Sequence, residues 1–291
     1  MSRLQATLIG GTAVLMWATL ATLTAGSGSV PPLQLSAMTF TIATVVLGIG
    51  VKAAGRNPFA QARQPWRIWL LGIGGLFGYH AFYFTALRHA PAAQASLIAY
   101  LWPLLIVLFS ALLPGERLRW YHVVGGLVAF AGSALLITDG RLDGFDADHA
   151  FGYAMALACA FTWSGYSVLS RRIAYVPSDI VTLFCTATAV LSGLSHLLFE
   201  QTVWPSGWQW LAVAGLGLGP VGLAFLTWDV GVKRGDIKAL GAASYAIPLF
   251  STLLLITLGM AVATGALLVA CAMIVGGAVL ASGDFLSKRP R

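Results

Sequence analysis

Residues 100–104 read Tyr-Leu-Trp-Pro-Leu, and 145 positions later residues 245–249 read Tyr-Ala-Ile-Pro-Leu. Both stretches lie midway along long apolar runs, where a helical proline removes one backbone hydrogen bond and frees a carbonyl. The same gapless offset of 145 carries Gly72-Ile-Gly74 onto Gly217-Leu-Gly219, Tyr83 onto Trp228 and Arg88 onto Lys233. One further position carries Trp17 onto Trp163. Single identities arise by chance in so apolar a chain; a shared order of prolines, aromatics and basic span ends does not. The chain therefore reads as two copies of one unit, residues 1–139 and 150–291, joined by a loop at 140–149.

Composition says what surrounds these units. Of 291 residues, 58% are apolar before the 33 glycines are counted, and only 9% are charged. Soluble domains carry about a quarter charged residues, and disorder needs low hydropathy with high net charge. Both classes are excluded, which leaves an integral membrane protein. Ten apolar runs approach the ~20 residues a spanning helix needs: 5–25, 33–51, 67–87, 92–113, 120–138, 150–170, 179–199, 208–232, 239–257 and 262–282. None alternates as a barrel strand would, so the expected fold is all-α with ten transmembrane helices. Ala25-Gly26-Ser27 has the small residues of a signal cleavage site. The run before it is long for a signal peptide, however, and it is read as a span.

The basic residues orient the chain. With a cytoplasmic N-terminus, 15 of the 17 Lys and Arg residues fall on the inner side, including a short basic tail with Lys288, Arg289 and Arg291; Arg88 and Arg141 are the exceptions. The longest outer loop, Asp139 to Asp148, is acidic and periplasmic in this reading. That bias is the positive-inside rule, and it puts both termini in the cytoplasm. It also explains the net charge of +7 without nucleic acid as a partner. Five spans per unit is an odd number, so the second unit starts on the opposite side and the repeats are inverted. Inverted repeats mark carriers that rock around a midplane site, giving alternating access.

Deep polar and aromatic side chains are the candidate pathway. An ionisable residue at mid-span faces a cavity or a partner rather than lipid. His80 has three open readings: a neutral imidazole bonded to a neighbouring helix, a donor to substrate, or a proton-coupling site. Trp66, Trp69, Trp120, Trp204, Trp208 and Trp210 suit the membrane interfaces. Trp17, Tyr79, Tyr83, Tyr100, Trp102, Trp163 and Tyr245 lie too deep for that belt. They suit either helix packing or an apolar pocket for a planar side chain or an ammonium. Thr19, Gln94, Ser96, Ser164 and Ser244 are small polar partners at similar depth. Pro103 and Pro248 are read as hinges or static bends, and Pro220 as a third kink without a counterpart, because Gly75 aligns with it. Asp229, four residues before Lys233, reads as an interfacial helical pair or a coupling site. The candidate substrate site is therefore Trp17, Tyr79, His80, Tyr83, Tyr100, Trp102, Trp163, Ser244 and Tyr245.

The segment Tyr83-Phe-Thr-Ala-Leu-Arg88-His-Ala-Pro-Ala-Ala-Gln94-Ala-Ser-Leu97, then Pro103-Leu104 and Gly115-Glu116, resembles the drug/metabolite transporter superfamily, specifically its EamA-type exporters. The second half departs from the pattern, with Gly259-Met260-Ala261 where a Gly-Glu pair would stand. The aromatic core is most similar to YddG-type exporters of aromatic amino acids. What the resemblance implies is export of aromatic and other apolar amino acids across a bacterial inner membrane. Exporters of aromatic or quaternary-ammonium drugs are the alternative, and a lipid scramblase or flippase follows. No cofactor is expected and no metal: Cys159, Cys185 and Cys271 lack spaced partners, and the five histidines are scattered. No phosphate-binding loop of an ATPase and no converging catalytic set is present, so an enzyme is not expected. The partners are a small molecule, an amino acid or organic amine, and the bilayer. The Gly74–Gly78 and Gly215–Gly219 spacings do not decide oligomerisation, and a monomer is the adopted reading.

Overall fold

The computed structural model describes residues 1–138, 140, 144, 146–259 and 265–281. The described residues contain no strand and form ten long helical segments. In chain order they are α1 (Arg3–Gly26), α2 (Pro32–Ala53), α3 (Trp66–His89), α4 (Ala92–Leu112), α5 (Trp120–Ile137), α6 (Ala150–Arg172), α7 (Ile180–Phe199), α8 (Gln209–Arg234), α9 (Ile237–Thr257) and α10 (Gly265–Ala281). Eight are long and apolar enough to cross a membrane. α6 has the length, with 23 residues, but carries more Ser and Tyr; α10 has 17 described residues. Arg141, the tail with Lys288, Arg289 and Arg291, and several residues of the acidic loop lie outside the described residues.

Local chemistry sets the helix ends. Ser2 and Gln5 form a reciprocal capping box at the start of α1. Pro32 opens α2, where its missing N–H costs nothing. The next two amides, of Leu33 and Gln34, donate to the Glu200 carboxylate at the end of α7, each at 3.0 Å. Asp236 caps α9 through the amides of Lys238 and Ala239.

Ionic contacts identify the two ends of the bundle. Arg3, Glu116, Arg171, Asp236 and Lys238 meet at one end. Arg88, His196, Glu200 and Gln34 meet at the other. The most extensive helix pairs are α1 with α8, α5 with α10, α3 with α6 and α2 with α7. Exchanging the first five helices for the last five maps this set onto itself. Large apolar side chains such as Leu8, Ile49, Leu127, Leu197 and Val275 point outward along the helices, a surface that suits lipid and would aggregate in water.

Without a hydrophobic drive between helices in lipid, association relies on close backbone approach at small residues. At the α1–α8 crossing, a Cβ on Gly10 would stand 2.8 Å from the Gly231 Cα, and one on Gly231 would stand 2.6 Å from the Gly10 Cα. Backbone cannot yield as a side-chain tip can, so Gly231→Ala is expected to destabilise by about 1–3 kcal/mol. Thermal melting in detergent checks this. Gly11→Ala, which meets nothing within 4 Å, is the control and is expected to melt as the parent does.

The mid-span prolines act differently from simple kinks. α4 stops at Ala99 and restarts at Trp102, so Pro103 sits in a first turn. α9 stops at Ala243 and restarts at Ala246, with Pro248 in the new first turn. The breaks fall 145 residues apart within a residue or so. Pro220 lies in a π-helical stretch of α8, Gly217–Leu223, and α3 widens the same way at Gly74–Gly78. The irregularity at Pro220 therefore has a counterpart around Gly75, contrary to expectation: in α3 small glycines allow the wider turn, whereas in α8 the missing proline N–H favours it.

Candidate functional site

The two broken helices and the two π-widened helices converge on a central cavity of about 620 Å³. Its inner part narrows to a contiguous space of about 130 Å³. The walls extend to Thr24, Ser27 and Pro32 between α1 and α2, to Leu87 at the end of α3 and to Ser96 near the start of α4. The cavity thus reaches the Arg88–Glu200 end, while the Glu116 end is held shut by ion pairs.

Trp17, Tyr79, His80, Tyr83, Tyr100 and Trp102 line the large space, and Trp163 joins five of these, all but Tyr83, around the inner one. The floor is a tryptophan cluster. Trp17 stands edge-on to Trp102 (centroids 6.2 Å apart) and to Trp163 (5.6 Å), and Trp102 is perpendicular to Trp163 at 6.3 Å and 89°. Trp228 backs the cluster, 5.0 Å from Trp17. Such edge-to-face pairs contribute about 0.5–1.5 kcal/mol each beyond area burial, which makes a stiff floor.

His80 is bonded within its own helix rather than to a neighbour. Its Nδ1 lies 2.7 Å from the Leu76 carbonyl oxygen, inside the π-widened stretch. A carbonyl only accepts, so Nδ1 donates, and Nε2 of the neutral ring is left as an acceptor. Phe40, Phe84, Phe225 and Tyr79 surround the ring, with Phe40 edge-on at 5.2 Å.

Two expected lining residues are elsewhere. Ser244 and Tyr245 are fully buried and contribute to neither space. They serve through their backbone: Pro248 has no N–H for the Ser244 carbonyl, which accepts from the Ile247 amide at 3.1 Å and from the Tyr100 hydroxyl at 3.0 Å. The Tyr245 carbonyl accepts from Ser133 of α5 at 3.1 Å. The break in α9 is thereby pinned to α4 and α5. The other small polar partners are also engaged inside the fold: Thr19 with Met16, Ser164 with Ala160, Ser96 with Tyr83, and Gln94 with Tyr153 and Gly144.

Asp229 is paired with Lys233 at 2.8 Å, as its helical spacing predicts, yet both side chains are 1% exposed. The pair is enclosed rather than interfacial, because the turn after α6 covers it and Val176 accepts from the Lys233 ammonium at 3.0 Å. It does not line the cavity.

The cavity also uses residues that the aromatic reading left out, Phe225 and Ile247 on the floor and Ser36 and Thr39 on α2. Phe225 stacks on Phe40 at 5.7 Å and 8°. The offset of 145 pointed to two of them: Phe225 answers His80, and Ile247 answers Trp102.

A helical bundle around a large aromatic cavity is the architecture of a membrane transporter. Comparison with known proteins agrees. The model of the EamA-like transporter family matches residues 5–138 and again residues 150–283, and the chain belongs to that family. It is 57% identical over 284 residues to the aromatic amino acid exporter YddG of Ancylobacter novellus, covering 97% of this chain and 98% of that one. The YddG exporter of Salmonella typhimurium is 27% identical over 266 residues, covering 87% of this chain and 88% of its own. A solved crystal structure superposes with a TM-score of 0.93 at 56% identity, over 99% of this chain and 100% of that one. The chain is a multi-pass exporter of a bacterial inner membrane, not an enzyme.

Proposed function

We propose that this chain exports aromatic and other apolar amino acids by alternating access through the central cavity. The observation that carries the reading is the cavity itself, walled by Trp17, Tyr79, Tyr83, Tyr100 and Trp102 with His80 as its one imidazole and no carboxylate or basic side chain among its lining residues. Rings of this kind stack on a planar side chain, and its volume is in the usual range for a small ligand. An uncharged wall favours a zwitterion over a quaternary amine, which is the second reading. The names of the relatives point the same way.

The topology that goes with this function is ten crossings in two inverted five-helix repeats, 1–139 and 150–291, with both termini cytoplasmic. Two family matches beginning 145 residues apart support it, as do helix pairs that survive exchange of the halves. In that orientation the ion-paired end is cytoplasmic and the cavity is open outward. Pro103, Pro220 and Pro248, at the junctions of broken and widened helices, are the places where rocking concentrates.

The test is tryptophan uptake by proteoliposomes of the purified chain. Expected is uptake competed by phenylalanine, weakly or not at all by glycine and tetraethylammonium, and reduced at least about tenfold by His80→Ala, the effect of losing one polar contact of about 1.4 kcal/mol. A folded preparation with no uptake above empty liposomes would overturn the amino acid reading, and competition by tetraethylammonium alone would move it to organic cations.

A further inference from the structure

Four tryptophans form the cavity floor, and their indole N–H groups have different fates. An indole nitrogen is a donor only, and a buried donor nearly always has a partner. Trp17 donates to the Pro220 carbonyl at 2.9 Å. Trp228 donates to the Ser167 hydroxyl at 3.0 Å. Trp102 and Trp163, 5% and 4% exposed, have no hydrogen-bond partner among the described residues, and neither nitrogen is sealed from solvent. Both rings line the same inner space of about 130 Å³. Their centroids are 6.3 Å apart, a separation on the scale that one carboxylate with two N–H···O bonds of about 2.9 Å spans. The hydroxyls Thr19, Ser164 and Ser244, which have the chemistry for this role, donate to carbonyls of their own helices. Across the space, His80 has only its Nε2 lone pair left to offer.

We propose that the indole N–H groups of Trp102 and Trp163 are the donor pair for the carboxylate of the transported amino acid, with His80 Nε2 accepting from its ammonium. The assignment rests on the proposed function and says how a site without charged residues selects a zwitterion. Two neutral donors meet the carboxylate, one neutral acceptor meets the ammonium, and the remaining aromatic wall takes the side chain. A hydrogen bond to an ionised acceptor is roughly twice as strong as one between neutral groups, and the apolar surroundings strengthen it further.

Equilibrium binding to the purified full-length chain tests the assignment, with tryptophan, tryptamine (no carboxylate) and indole-3-propionate (no ammonium) as probes. The parent protein is expected to bind tryptophan at least about tenfold more tightly than tryptamine. Replacing Trp102 or Trp163 by its benzothienyl analogue keeps the ring and removes only the N–H. Each replacement is expected to lower the tryptophan-to-tryptamine ratio about tenfold, equivalent to 1.4 kcal/mol, with tryptamine affinity held within about twofold. His80→Gln, whose amide oxygen can also accept, is expected to preserve tryptophan binding better than His80→Phe. If the parent protein binds tryptamine as well as tryptophan, the carboxylate pair does not exist, a result that needs no variant. An unchanged ratio in both analogues, or an equal loss for both ligands, also overturns it. Absence of binding by all three probes defeats the amino acid reading itself, whereas tryptophan binding with an unchanged ratio defeats only the donor pair.

Discussion

Glu116→Gln is expected to release the sealed end of the bundle and to deplete the outward-open state. The Glu116 carboxylate receives Arg3 at 3.2 Å, Arg171 at 3.4 Å and Lys238 at 3.3 Å, and its side chain is 9% exposed. Those three cations come from the start of α1, the end of α6 and the first turn of α9, so one carboxylate ties four segments of the chain. Asp236 holds Arg3 as well, at 2.9 Å, but cannot balance all three. Removing one partner of a mostly buried ionic cluster costs about 3–5 kcal/mol, because the remaining charges stay desolvated and unpaired. If half of the lower figure is specific to the closed arrangement, the conformational equilibrium moves about tenfold. The measurement is labelling of Leu20→Cys, a cavity-wall position, by a membrane-impermeant thiol reagent in a Cys271→Ala background. Labelling is expected to slow in Glu116→Gln, by a factor of up to about ten for a tenfold shift in the equilibrium. Unchanged labelling together with unchanged melting would show that the cluster locks nothing.

In the proposed topology the same cluster favours the outward-open form. A strictly symmetric pair of repeats would place an equivalent carboxylate 145 residues on, where the sequence has Ala261, and an equivalent of Lys238 at position 93, where it has alanine. The opposite end has its own ion pair, Arg88 with Glu200 at 3.0 Å, but Glu200 is already occupied by the α2 amides and His196. The leading helix pairs exchange between the halves, then, while the charges at the two ends do not. Gly115-Glu116 stood out in the sequence as a motif; its role as a hub emerges only when α1, α6 and α9 are brought to it.

What the sequence reveals follows from what the bilayer forbids. A run such as 33–51 has no alternative to a helix in lipid, and the structure extends it only to Pro32–Ala53. The deep aromatics were legible because tyrosine and tryptophan ordinarily sit at the interfaces, so Trp17, Tyr79 and Trp102 needed another reason to be at mid-span. Depth is legible from position; direction around the helix is not once a helix breaks. The interruption at Ser244–Tyr245 re-aims both side chains into packing, and it is their carbonyls that pin the break, to Tyr100 and Ser133. The hydroxyls misled for a related reason: Ser164 and Ser244 bond to the carbonyl four residues back, the usual habit of serine inside a helix. Which donors remain free is a property of the assembled floor, where Trp17 finds Pro220 and Trp102 finds nothing.

The Asp229–Lys233 pair gives the sharpest contrast between a structural and a coupling role. Both groups are 1% exposed, 2.8 Å apart and away from the cavity lining. Asp229→Ala leaves the Lys233 ammonium enclosed with the Val176 carbonyl as its remaining partner. A loss of about 3–5 kcal/mol is expected from stranding that charge, large enough to abolish folded protein in detergent. Replacing the pair together, Asp229→Leu with Lys233→Met, removes both charges and keeps most of the volume. Such apolar replacements of buried ion pairs are often neutral or stabilising, so the double variant is expected to recover the melting temperature that the single variant loses. Uptake separates the roles. A pair that only holds α8 to the turn after α6 leaves tryptophan uptake, and any response to an imposed proton gradient, unchanged in the double variant. A double variant that melts normally but loses a gradient response seen in the parent would make Asp229 a proton site in spite of its distance from the cavity.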